Sequence, residues 1–226
     1  DNSVAIATFD TPTQQLLIES EVIIQHYNES PLNFIVSDYA INYPFKYLAN
    51  DNFILSSYMV LPNEETRTLL NNWIYNVYKY NETIQTYTLL QKLTTYIFKN
   101  FTYKVREEAG VQTAKQTLSY GSGSCRDFAF LFMEVVKCLG LATRFVSGYL
   151  YAPLMSDKVG STHAWAEVYL PGGGWIGFDP TTGNIAGTDH ISVAVSRLPD
   201  NVPPIAGSFL GVSDSTISVG VWVTKV

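Results

Sequence analysis

GSGSCRDFAFLFMEVVKCLG, residues 121–140, joins a small, polar approach to an amphipathic run. Ala129, Phe132, Met133, Val136 and Leu139 recur at helical spacing, which predicts a helix that opens at Cys125 and is closed by Gly140. A thiol at a helix N-terminus sits beside unpaired backbone N–H groups and the positive end of the helix dipole, surroundings that favour the thiolate. Free cysteine is also among the most buried side chains, so Cys125 reads as a nucleophile only if the chain supplies a base and a group that orients that base.

Both partners are found downstream. ATRFVSGYLY (142–151) has strand-like alternation, APLMSDKVGS (152–161) reads as a loop, and THAWAEVYL (162–170) and GWIGFDP (174–180) are apolar runs joined by a glycine turn. An antiparallel hairpin places His163, at the head of one strand, beside Asp179, at the tail of the next, with a bulge or slip expected to absorb the unequal distances to the turn. Packing the Cys125 helix across this hairpin would bring thiol, imidazole and carboxylate together. His163 alone reads equally as a core or edge histidine, and Asp179 before Pro180 as a turn residue. Their occurrence together with Cys125 is what favours chemistry. A zinc site of Cys125, His163 and His190 is the other chemical reading, disfavoured because the short paired ligand spacings of zinc sites are missing.

Upstream, Asn63 after Pro62 caps a predicted helix running to about Tyr80, and Leu89, Leu90, Leu93 and Ile97 mark another from Ile84 to Lys99. FTYKV (101–105) reads as a short strand and Thr113–Ser119 as a helical turn. Residues 1–61, with LLIESEVIIQHY (16–27), NFIVSDYAI and NFILSSYMVL, carry β-forming composition, and His26 reads as a half-exposed strand residue. The expectation is a β-rich N-terminal domain over 1–61 and an α+β core over 62–226. ISVAVSRL (191–198) and STISVGVWVTKV (215–226) are further expected strands.

A net charge of −6 with 14 basic residues spread along the chain disfavours a nucleic-acid partner. No apolar run approaches a membrane span, so no membrane partner is expected. The start DNSVAIATFD has neither Met nor the order of a signal peptide; a trimmed start and a cytoplasmic location are the expectations. Cys125 and Cys138, 13 residues apart on one helix, would lie about 20 Å apart at 1.5 Å per residue, too far for a disulfide. Neither a metal nor an organic cofactor is implied, and no calcium loop is visible.

GSCRDFAFLFMEVVKCLGLATRFVSGYLY, THAWAEVYLPGGGWIGFDPTTG and DHISVAVSRLPDNVPPIAGSFLG resemble, in order and spacing, bacterial transglutaminase-like proteins regarded as cysteine proteases, over about residues 62–213. The resemblance implies a papain-like α+β core with Cys125 as nucleophile, His163 as general acid/base and Asp179 as orienting carboxylate. It implies a peptide or protein substrate and favours hydrolysis over cross-linking. The front resembles the family's N-terminal domain, shorter than usual, with opening strands expected to be absent. Arg126 and Phe130 stand where the family commonly has Gln and His. Arg126 reads as a thiolate or acidic-substrate partner, or as a solvated first-turn arginine. Trp165 and Trp175 are candidates to flank the site or line an acyl pocket. For the oxyanion, the Cys125 backbone N–H is the natural donor, with Tyr103 and Ser124 as further candidates near it. The alternatives are a cross-linking transglutaminase and a non-catalytic binding or scaffold protein that keeps the fold.

Overall fold

The computed structural model describes residues 2–27, 32–80, 82–106, 108–151, 160–211 and 216–224. Its elements run β1 (Asn42–Tyr43), α1 (Ala49–Leu55), α2 (Glu64–Ile74), β2 (Ile84–Gln85), α3 (Thr86–Asn100), β3 (Thr102–Tyr103), α4 (Ala114–Tyr120), β4 (Ser122–Gly123), α5 (Cys125–Cys138), β5 (Thr143–Tyr151), β6 (Gly160–Leu170), β7 (Gly174–Asp179), β8 (Asn184–Ile185) and β9 (His190–Ser196). The architecture is α+β, with helices packed on an antiparallel sheet.

Local chemistry starts and stops these helices. Asn63 accepts a hydrogen bond from the Thr66 N–H at 2.9 Å and opens α2. Thr113 and Gln116 form a capping box at the head of α4, and Gly121, at φ 60°, closes that helix in the left-handed region. Strands β5 to β9 form one sheet in the order β8-β7-β6-β5-β9. Helix α5 lies between this sheet and α2, α3 and α4, which explains why it is apolar on more than one face. Phe128, Leu131, Phe132 and Met133 are fully buried, and Phe132 stacks on Phe178 of β7 at 5.7 Å. Each such side chain contributes roughly 1.5–3 kcal/mol of burial.

The front of the chain packs on the same core. The Tyr43 hydroxyl donates to the Leu139 carbonyl at 2.9 Å. The Tyr47 hydroxyl donates to the Tyr169 carbonyl at 2.8 Å and accepts from the Ala142 N–H at 3.0 Å. These three bonds satisfy backbone groups where α5 hands over to β5 and where β6 ends.

The expected strands near the two ends do not form. Residues 16–27 are exposed and in no strand, His26 among them. Residues 33–41 hold a 3₁₀ turn at Asp38–Ala40, and NFILSSYMVL folds as the end of α1 and a 3₁₀ turn at Ser56–Tyr58. Residues 216–224 are likewise in no strand, leaving Ile217, Val219 and Trp222 exposed. β-propensity describes side chains suited to a pleated surface, and it yields a strand only where a partner strand completes the ladder. Helix α2 ends at Ile74, short of Tyr80. The loop expected at 152–161 falls mostly on residues 152–159, outside the described residues. Both cysteines are free thiols.

Candidate active site

The β6–β7 hairpin aligns His163 and Asp179 without a bulge. Its register is regular from Leu170↔Gly174 to Ala166↔Phe178, so Asp179 falls one step further on, level with Trp165. His163 is two residues from Trp165, on the same face of β6, and so stands diagonal to Asp179. The His163 Nε2 lies 2.8 Å from Asp179 Oδ2, with both residues buried. Asp179 has further donors: the Thr181 N–H to Oδ1 at 2.8 Å, the Thr182 hydroxyl to Oδ2 at 3.0 Å, and the His190 Nε2, 3.0 Å from Oδ2.

Electrostatics follow from this crowding of donors. Burial alone would raise the Asp179 carboxyl, but hydrogen bonds from His163 and His190 outweigh it and hold the group well below the usual carboxylate range. Burial alone would lower the His163 imidazole; hydrogen bonds to Asp179 and Cys125, with the charges of both, reverse this and push it up to about 10. A histidine raised in the folded state contributes stability in full below its ordinary value of 6.5 and loses it as the pH climbs towards 10. The melting temperature is therefore expected to fall between pH 7 and pH 10, and to fall markedly less in His163→Gln, as read by differential scanning fluorimetry.

Cys125 is held by the start of α5. Strand β3 pairs in parallel with β4, matching Thr102 to Ser122 and Tyr103 to Gly123, and delivers the chain to the helix. Asp127, fully buried in the first turn, reaches back to accept from the Ser124 N–H and hydroxyl, both at 2.8 Å. Its other oxygen accepts from Arg106 Nη1 and the Gln112 N–H, both at 2.7 Å. A Cβ at Gly123 would come within 2.8 Å of the Asp127 Cβ, so this approach requires glycine. Cys125 itself is half-buried. With the His163 Nε2 turned to Asp179, Nδ1 is the ring nitrogen left to face the thiol.

Residues 78–180 match the model of the transglutaminase-like superfamily. This segment is a transglutaminase-like domain. An uncharacterized protein of Mycobacterium leprae is 36% identical over 109 residues, covering 46% of this chain and 38% of that protein. Another, of Mycobacterium bovis, is 31% identical over 138 residues, covering 57% of this chain and 44% of that protein. The chain thus spans less than half the length of these relatives. A solved structure from Cytophaga hutchinsonii, described as a candidate cysteine protease, superposes with a TM-score of 0.53 at 24% identity, over 68% of this chain and 50% of its own. That likeness supports the papain-like arrangement of the fold.

Around the transglutaminase-like domain's candidate site, the sequence candidates divide. Trp165 is buried and stacks on His163, with ring centroids 6.2 Å apart. Tyr103 is half-exposed beside Cys125, and burial, then the neighbouring thiol, pushes its phenol up. The Ser124 hydroxyl is spent on Asp127. Arg126 Nη2 donates to the carbonyls of Arg106 at 3.0 Å and Glu108 at 2.7 Å, so this side chain braces the backbone at those two residues. Trp175 stands at the turn end of the hairpin, packed on Tyr58 and Tyr169 with the Arg144 guanidinium 4.5 Å from its ring centre, and is not brought to the site. The sequence offers His190 only as a zinc ligand, not as a partner of Asp179, and does not mark the Arg106–Asp127 pair at all. A histidine opening a strand after the Gly-Thr-Asp turn was the available signal for the former.

His163, Asp179 and His190 are also the cluster, among the described residues, whose donor atoms all lie within 4.8 Å of one another, close enough to consider a cation. Both Nε2 atoms are instead committed to hydrogen bonds with Asp179. Cys125 and His190 are not paired as the zinc reading would require, since His190 is turned to the carboxylate.

Proposed function

We propose that this domain is a cysteine-dependent acyl-transfer enzyme that cleaves peptide or isopeptide amide bonds through a thioester. The observation that carries the reading is His163, bound through Nε2 to a deeply buried, multiply hydrogen-bonded carboxylate and influenced from its other side by Cys125. In this scheme the Cys125 thiol passes its proton to His163 as Sγ forms a bond to the amide carbonyl carbon, and the negative charge moves to the carbonyl oxygen. The Cys125 N–H, at the first helical position and so without an intrahelical partner, is the donor best placed for that oxygen, with Tyr103 beside it. The C–N bond then breaks as His163 gives its proton to the departing amine. Water attacks the thioester as His163 takes a proton from it, the C–S bond breaks to release the acid, and His163 returns the proton to the Cys125 thiolate. Asp179 keeps the imidazole in the required tautomer throughout.

The test is turnover of a panel of peptide amides and isopeptides, with and without a primary amine acceptor. Cys125→Ala is expected to bring turnover to background while its circular dichroism and melting temperature match those of the parent. Undiminished turnover would overturn the proposal. Product carrying the added amine would identify cross-linking as the reaction instead of hydrolysis.

A further inference from the structure

His190 arrives at this cluster from the far side of the sheet. Strand β8 pairs with β7 at one edge and β9 pairs with β5 at the other, so the connection between them crosses from edge to edge and carries His190 to Asp179. The crossing is tight at Gly148. A Cβ there would fall 2.1 Å from the Ile191 carbonyl oxygen and 3.0 Å from the Trp165 ring. The β5–β9 ladder shifts register at that point, passing from Ser147↔Ala194 to Gly148↔Ser192. A bulge of this kind re-aims the strand on which it sits, here the one that starts with His190.

The tautomer of His190 can be read from its neighbours. The Gly187 N–H donates to its Nδ1 at 3.1 Å, so Nδ1 presents a lone pair and the ring proton is on Nε2. That proton points to Asp179 Oδ2, 3.0 Å away. The ring is nearly buried, and Trp165 meets it edge to face at 5.1 Å. Asp179 Oδ2 is thus shared by two imidazoles and the Thr182 hydroxyl.

We propose that His190 is a positioning residue of this site, a neutral imidazole that fixes the Asp179 carboxylate independently of His163; its consequence for catalysis rests on the acyl-transfer reading above. When His163 releases its proton to a leaving amine, its hold on Asp179 weakens. His190 keeps the carboxylate in place during that interval, so that His163 returns to the same tautomer and direction. The charged and titratable groups facing His163 are Asp179 from β7, His190 from β9 and Cys125 from α5, with Tyr103 of β3 next to Cys125.

The experiment uses the full chain labelled with ¹⁵N and follows the imidazole nitrogens by NMR in the parent, His190→Gln and His190→Asn. A glutamine amide nitrogen can reach the place of Nε2, whereas an asparagine amide stops near Nδ1. In the parent at pH 8, His190 is expected to show a protonated Nε2 and a bare Nδ1. In His190→Asn the Asp179 carboxylate loses one of its donors, and the His163 titration midpoint is expected to move away from its parent value of about 10. There kcat should fall about 10–100-fold with KM little changed, the usual loss when a residue that orients a site through another side chain is removed. His190→Gln should restore most of both. A doubly protonated His190 in the parent, or equal His163 midpoints in all three proteins, would overturn the proposal. Full turnover in Cys125→Ala would instead remove the acyl-transfer reading, while the imidazole spectra would still decide whether His190 holds Asp179.

Discussion

Asp127→Ala is expected to lower unfolding stability by about 3–5 kcal/mol, the cost of leaving a buried ion pair without one partner. Asp127 is fully buried, and the Arg106 side chain it holds is only 16% exposed, so solvent does little to replace the lost contact. The Ser124 N–H, the Ser124 hydroxyl and the Gln112 N–H lose their acceptor at the same time. Burial opposes the charge on Asp127, yet these bonds and Arg106 hold its carboxyl below the usual range. A carboxylate depressed in this way stabilises the fold above its ordinary value and loses that contribution as the pH falls below it, so at neutral pH the whole effect is at stake. For a chain of this size the melting temperature should drop by roughly 6–20 °C. Urea unfolding at pH 7 reads the free energy directly; a loss under 1 kcal/mol would show that the network does not secure the head of α5.

Asp179→Asn is expected to leave the fold intact and to reduce kcat by roughly 10⁴-fold, the scale of loss when a triad carboxylate becomes an amide. The amide keeps the carboxylate's shape but places an N–H where one of two oxygens had accepted. Four donors converge on those oxygens, so a group with a single acceptor oxygen cannot satisfy them all. Without the negative charge, His163 no longer holds its proton up to about 10. Steady-state kinetics on whichever amide substrate the panel identifies, with circular dichroism as the control for folding, checks this. A loss below tenfold would mean that Asp179 serves the fold and not the reaction.

The two variants probe different supports of one site. Asp127 secures the backbone that presents Cys125, and Asp179 secures the ring that faces it. Arg126, adjacent to the thiol in sequence, belongs to the first group through its bonds to the Arg106 and Glu108 carbonyls, whereas Trp165 belongs to the second. Sequence proximity to Cys125 was therefore a poor guide to contact with the chemistry.

What could be read from residues alone was whatever depends on near neighbours. The helix from Cys125, the Asn63 cap, the glycine turn of the hairpin and the His163–Asp179 pairing all follow from periodicities and caps that act within a few residues, or across one tight turn. Tertiary structure decided the rest. Whether 16–27 and 216–224 become strands depends on partners that propensity cannot supply, and neither segment has one among the described residues. The burial of Asp127 depends on Arg106, 21 residues away, and the pairing of His190 with Asp179 depends on a connection that crosses the whole sheet. Nothing in the spacing singles out Asp127, and His190 is legible only as a candidate zinc ligand. Only the convergence of distant backbone segments on one buried carboxylate gives each of them its role, because a hydrogen bond is specified by where two groups meet in space and leaves no spacing rule along the chain.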